Sequence, residues 1–155
     1  MDNNLLVDFC KAVRDSTLKR LKAVPEGYEN WRASKNSLNF AEIASHLIEL
    51  DEWTIKKINE PTIQSILPEK GSMENCSREK FNAMISELEE SSEKKIKIFS
   101  SLGEEKMHSK IYDDRFDDEV SIEWIILRGN LDHEIHHRGQ IAVYLRVLKD
   151  ELEAK

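Results

Sequence analysis

The spacing of apolar side chains limits this chain's fold more than any other feature, because they recur every third and fourth residue through four long segments. A helix advances about 100° per residue, so this period gathers apolar groups on one face that another helix must cover. Leu6, Phe9, Cys10, Val13, Thr17 and Leu21 mark a first helix running to about Val24, where Pro25 and Gly27 stop it. Phe40, Ile43, His46, Leu47, Leu50, Trp53 and Ile58 mark a second, closed by Pro61. Ser77 is the predicted N-cap of a third, with a stripe of Phe81, Ile85, Leu88, Ser92, Phe99 and Leu102 and its end at Gly103. Asp117 or Asp118 is predicted to cap a long fourth helix reaching roughly to Leu148.

Only 5 Gly and 3 Pro interrupt 155 residues, and no strand pattern or internal repeat stands out. The expected fold is all-α, a four-helix bundle forming a single domain over residues 1–155. Residues 61–76, containing Pro68 and Gly71, are too many for a tight hairpin and predict a long crossover between helices two and three that can hold a short helical turn. Residues 104–117 are polar and irregular, and no structure follows from them.

A formal net charge of −7 without a Lys/Arg run opposes binding to nucleic acid or to an anionic membrane surface. The opening Met1-Asp2-Asn3-Asn4 lacks a cationic start followed by an apolar run, and no segment approaches a membrane span, so a cytoplasmic location is expected. Cys10 and Cys76 have neither metal-ligand nor redox spacing, which makes a disulfide framework improbable and Cys10 a core residue.

His133 and His137 lie one turn apart on one face of the fourth helix, a separation a single ion can bridge. Ile122, Ile126, Gln140, Tyr144 and Leu148 share that face, so both imidazoles are expected to point into the bundle. His46 lies in the second helix's core stripe beside Asn39, Leu50 and Trp53. Three inward imidazoles need three separate hydrogen-bond partners or one shared cation. Spacing alone leaves open a solvated His pair and a hydrogen-bonded core His. The run His133-Glu134-Ile135-His136-His137 also fits H-E-x-x-H, in which a glutamate serves as the base of a metalloprotease. Only 18 residues follow His137, so a third ligand must come from upstream, and the ordinary reading of Glu134 is a solvated helix residue.

The run from His133 to Ile141, followed by Tyr144-Leu145-Arg146, has the form H-x-x-H-H-R-G-Q-x-x-x-Y-L-R. It resembles the C-terminal signature of the DinB-like family, and Asn39 to Leu47 resembles that family's second-helix segment. The resemblance implies a four-helix bundle with a metal held by His46, His133 and His137. It further implies relatives among thiol S-transferases that use bacillithiol, mycothiol or glutathione.

Three neutral imidazoles would leave one divalent ion, whether zinc, nickel, iron or manganese, its full charge and an open position for water or thiol. The implied enzyme is a thiol S-transferase acting on small molecules, with a metal-dependent hydrolase or a non-catalytic metal-stabilised bundle as alternatives. Glu42, one turn before His46, and Glu49 are candidates to orient a ligand or relay a proton, against a plain reading as surface charge. Gln140, Tyr144 and Ser92 are candidate pocket residues, with core packing an equal account of Tyr144. Gly129 and Gly139 each suggest a close backbone approach. A second apolar strip of Trp124, Leu127, Leu131, Ile135, Ala142 and Leu145 lies nearly opposite the histidines, to be covered by a neighbouring helix or, in a homodimer, by a second subunit.

Overall fold

Asn39 and Glu42 set the start of the helix that carries His46. The Asn39 side chain accepts from the Glu42 N–H at 2.7 Å and the Glu42 carboxylate accepts from the Asn39 N–H at 2.9 Å, a reciprocal capping box that opens α2, Phe40–Asn59. Ser77 caps α3, Arg78–Ser101, accepting from the Lys80 N–H at 3.2 Å, as its sequence predicts. The first helix, α1, spans Asn3–Lys22. A computed structural model describes residues 3–60, 62–64, 71 and 73–154, so the expected stop at Pro61, Pro68 and most of the crossover lie outside the described residues.

Leu6, Cys10, Val13, Thr17 and Leu21 of α1 are buried as their period requires, whereas Phe9 is 53% exposed. Arg14, one turn beyond Cys10, takes an inward position instead. Side-chain pairings fix the helix directions. Arg14 reaches the Leu88 carbonyl while Arg78 reaches that of Val24, so α1 and α3 are antiparallel. Ser91 and Lys95 meet Asp51, and both helices begin at the end where Asn39 bonds the Met73 carbonyl and Asn30 the Cys76 carbonyl, so α2 and α3 are parallel. Parallel neighbours in sequence need a connection that returns along the bundle, which accounts for the long crossover.

Residues 104–121 add a small two-stranded hairpin to the expected helical bundle. A short helix α4, Glu104–His108, leads into β1, Lys110–Asp113, which pairs antiparallel with β2, Asp118–Ser121, in the register Lys110↔Ser121 to Asp113↔Asp118. Asp117 has φ 51° in the connecting turn and Asp118 belongs to β2, so neither caps the last helix. That cap is Ser121, whose Oγ accepts from the Trp124 N–H at 3.1 Å. Four-residue strands are too short to declare a period of two. Asp113, fully buried in β1, further disguises the inward face because Arg115 neutralises it.

The last helix begins as α5, Ile122–Trp124, widens into a π segment, Ile125–Leu131, and continues as α6, Asp132–Glu153. The Asp132 N–H bonds to the Leu127 carbonyl, five residues back, and the wider turn shifts the phase of everything downstream. Gly129 lies within this segment, where a Cβ would stand 3.1 Å from the Trp53 ring and 3.0 Å from the Arg115 guanidinium. That guanidinium also lies 4.8 Å from the Trp53 ring centroid, tying the hairpin to α2. Gly139 has open space at its Cβ position, so no close approach explains it.

Side chains show α6 antiparallel to α2, since His46 meets His133 and Phe40 meets Tyr144, and parallel to α1. Helix α1 partly covers the second apolar strip, leaving a groove where Ser16 and Arg20 face Ala142 and Leu145, while Trp124 remains exposed. No helix among the described residues is long and apolar enough to cross a membrane.

Candidate metal centre

His46 from α2 and His133 and His137 from α6 converge. The Nε2 atoms of His46 and His133 are 3.0 Å apart, as are those of His133 and His137, and the ring centroids are 4.9–5.1 Å apart. His46 and His137 are buried and His133 is half-buried. Burial, followed by the charges of His137 and His133, pulls the His46 pKa down to about 3. Burial likewise lowers His137 to about 4, against the opposing hydrogen bond it donates to Gln140, and lowers His133, with His136 and Arg115 adding to the effect. All three are therefore neutral near pH 7, the form that offers a lone pair.

Hydrogen bonds alone fit this cluster poorly. His137 Nδ1 lies 2.8 Å from the Gln140 side-chain oxygen, so its proton is on Nδ1 and its Nε2 presents a lone pair. His133 Nε2 faces that lone pair and the His46 Nε2 at the same distance, and one proton cannot point along both contacts. The buried His46 Nδ1 has no hydrogen-bond partner among the described residues. A cation bound at about 2.0–2.1 Å from each nitrogen, with angles of roughly 90–110°, needs ligand nitrogens about 3 Å apart and accepts all three lone pairs together. Two of the three nitrogen pairs have that spacing, all three ligand atoms lie within 4.8 Å of one another and all three rings are neutral, so the triad can hold a metal ion.

The other sequence candidates lie elsewhere. Glu134, expected to be solvated or to act as a base, is only 1% exposed, and both its oxygens accept from Arg14, at 2.7 and 2.9 Å, with Lys95 at 3.5 Å. Asp51, Ser91, Thr54 and Asn130 complete this buried polar cluster. Glu42 is also buried rather than a surface charge, and its carboxylate is taken by Arg32, the Asn39 N–H and the Gly71 N–H. Glu49 is exposed, with the Ser45 hydroxyl at 3.4 Å. Ser92 lines a cleft of about 540 Å³ between α1 and α3, with Lys11, Arg14 and Glu93, and not the histidine cluster. Tyr144 packs edge-on against Trp31 and Phe40, which is the core role. Of these candidates, Gln140 is hydrogen-bonded to a ring of the triad.

The sequence reading missed Arg14, Asp51, Lys95 and Asn130. Their signal was position: Arg14 follows Cys10 by four, Asp51 follows Leu47 by four and Lys95 precedes Phe99 by four, each a core spacing occupied by a charge.

Fold and site together define a class: helical bundles in which a histidine triad from two antiparallel helices can hold a metal ion. The chain belongs to the DinB family, whose family model matches residues 1–150. Its structure resembles the crystal structure of a DinB-like protein, YjoA, from Bacillus subtilis, with a TM-score of 0.70 and 18% sequence identity over 94% of this chain and 92% of the other. At that identity the likeness speaks for the fold. Among curated proteins, none matches the chain.

Proposed function

We propose that the protein binds one divalent metal ion through Nε2 of His46, His133 and His137 and uses it in a thiol S-transferase reaction on small molecules. The observation that carries this reading is the convergence of three neutral imidazole nitrogens, 3.0 Å apart along the cluster, where protons cannot satisfy them all. A cation there supplies Lewis acidity at neutral pH, lowering the pKa of a thiol or water that joins it.

The surrounding residues argue against hydrolysis assisted by a carboxylate base. No carboxylate joins the three histidines in a shared ligand cluster among the described residues, and Glu134 and Glu42 are committed to arginines. Hydrolysis by general-base catalysis needs such a group, whereas a metal-bound thiol or water with a lowered pKa can release its proton to solvent. Cys10 cannot supply the thiolate, because burial pushes its pKa up to about 11. Burial raises the Cys76 thiol pKa as well, so the thiol comes from a second molecule, for which bacillithiol, mycothiol and glutathione are the candidates.

Metal analysis of protein purified without a His-tag, before and after loading with zinc, nickel, iron or manganese, tests the centre. A ratio near one is expected, with tight binding abolished by His133→Ala. A ratio near zero after loading would refute it. Loaded protein should then transfer each thiol to an electrophilic acceptor faster than metal-free protein. Metal-dependent stability without metal-dependent transfer would instead identify a non-catalytic centre.

A further inference from the structure

We infer that Gln140 is the positioning residue of the centre: its amide holds His137 as the Nδ1–H tautomer and so presents the Nε2 lone pair to the ion. The affinity part of this inference rests on the proposed metal site, while the tautomer part stands on its own.

A free imidazole exchanges its proton between two nitrogens, and only the form with an unprotonated Nε2 can ligate through that atom. The carbonyl oxygen of Gln140 lies 2.8 Å from His137 Nδ1, and an oxygen there can only accept. The other half of the amide makes a second contact compatible with that orientation. Its nitrogen lies 3.0 Å from Nε2 of His136, and an amide nitrogen can only donate. A reversed amide would place N–H groups against His137 Nδ1, driving the ring proton onto Nε2 where it would occupy the ligand lone pair.

Helical spacing builds this arrangement, since Gln140 lies three residues after His137 and four after His136, both within side-chain reach. His136 is exposed and lies outside the triad, and as the Nδ1–H tautomer its Nε2 accepts from the Gln140 nitrogen, which favours the required amide orientation. Among the described residues the buried Nδ1 of His46 has no such partner.

The test uses full-length ¹⁵N-labelled protein and its Gln140→Leu, Gln140→Glu and His136→Ala variants. Long-range ¹H–¹⁵N correlation spectra read the His137 tautomer in metal-free and zinc-loaded protein, competition with a chromogenic chelator reads zinc affinity, and thermal melting confirms the fold. Wild type should show the Nδ1–H form even without zinc. Gln140→Leu should mix the tautomers and weaken zinc binding by about 10–100-fold. Gln140→Glu, which keeps an acceptor, should restore both, and His136→Ala should cause a smaller loss. An Nε2–H tautomer in the wild type, or unchanged affinity and spectrum in Gln140→Leu, would overturn the inference. Should Gln140→Leu fail to fold, the wild-type tautomer and Gln140→Glu affinity still decide it. Absence of zinc binding by wild type would refute the proposed function, leaving the metal-free tautomer to judge Gln140.

Discussion

Glu134→Gln should destabilise the protein severely, because it removes one charge from a buried cluster that is balanced only when complete. The cluster holds Arg14 and Lys95 against Asp51 and Glu134, all four side chains 1–2% exposed. Burial alone would push both carboxyls up, but Lys95 and Arg14 more than offset it and hold them below the usual carboxylate range. Glutamine is nearly isosteric, yet it leaves two cations facing the single Asp51 charge. Breaking a buried pair from one side costs about 3–5 kcal/mol. At about 2–4 °C per kcal/mol for a chain of this size, the melting temperature should fall by roughly 6–20 °C. Urea unfolding of metal-free protein, followed by circular dichroism, gives the free-energy change directly. Removing Arg14 and Glu134 together, as Arg14→Met with Glu134→Leu, leaves the neutral Lys95–Asp51 pair and should cost less than the sum of the single changes. A loss below about 1 kcal/mol for Glu134→Gln, or strict additivity in the cycle, would show that the pairing does not contribute as described.

The two glycines of the last helix should respond in opposite directions. Gly129→Ala must push back the Trp53 ring or the Arg115 guanidinium and should cost about 1–3 kcal/mol. Gly139→Ala, with open space around it in α6, should gain roughly 0.5–1 kcal/mol, and urea midpoints check both. Acidity should weaken the metal-free protein in two steps. Unfolded histidines protonate near 6.5, but folded His137 and His46 do so only near 4 and 3, so the unfolded chain binds more protons in between and stability falls as pH drops below about 6.5. Glu134 and Asp51 add a second loss at lower pH, because carboxyls with depressed pKa stabilise the fold only while ionised. Urea midpoints measured from pH 7.5 to 3.5 should show the first loss reduced in His137→Gln and the second in Glu134→Gln. Stability rising as pH falls from 6.5 to 5 would contradict the histidine assignment.

The helices were readable where burial follows a regular period and a cap is local. The Asn39 and Ser77 caps act on residues three positions away, so a short window of sequence contains the whole interaction. Structure created by distant partners was not readable in the same way. The π segment has no local mark except Gly129, whose reason is a tryptophan 76 positions earlier. Glu134 looks solvated for the same reason, since its cations come from α1 and α3. The histidines were the favourable case. Their helical facing could be derived from α2 and α6 separately, and only their meeting at one point required the tertiary structure.

His133-Glu134-Ile135-His136-His137 shows why a motif has to be read with the helices opposite it. In an α-helix the two histidines at i and i+4 differ by roughly 40° around the axis, while Glu134 lies about 100° from the first and about 60° from the second, on the other side. Whether that angular offset makes the glutamate a base depends on what stands there. In this bundle α2 meets the histidine side with His46, whereas α1 and α3 meet Glu134 with Arg14 and Lys95. A base beside a metal needs one carboxylate oxygen free to take a proton, and here both are hydrogen-bonded to one guanidinium. The glutamate instead fixes the rotation of α6. Turning the helix enough to release Glu134 would carry His133 and His137 out of their 3.0 Å register, so the ionic cluster and the histidine triad constrain each other through one shared turn.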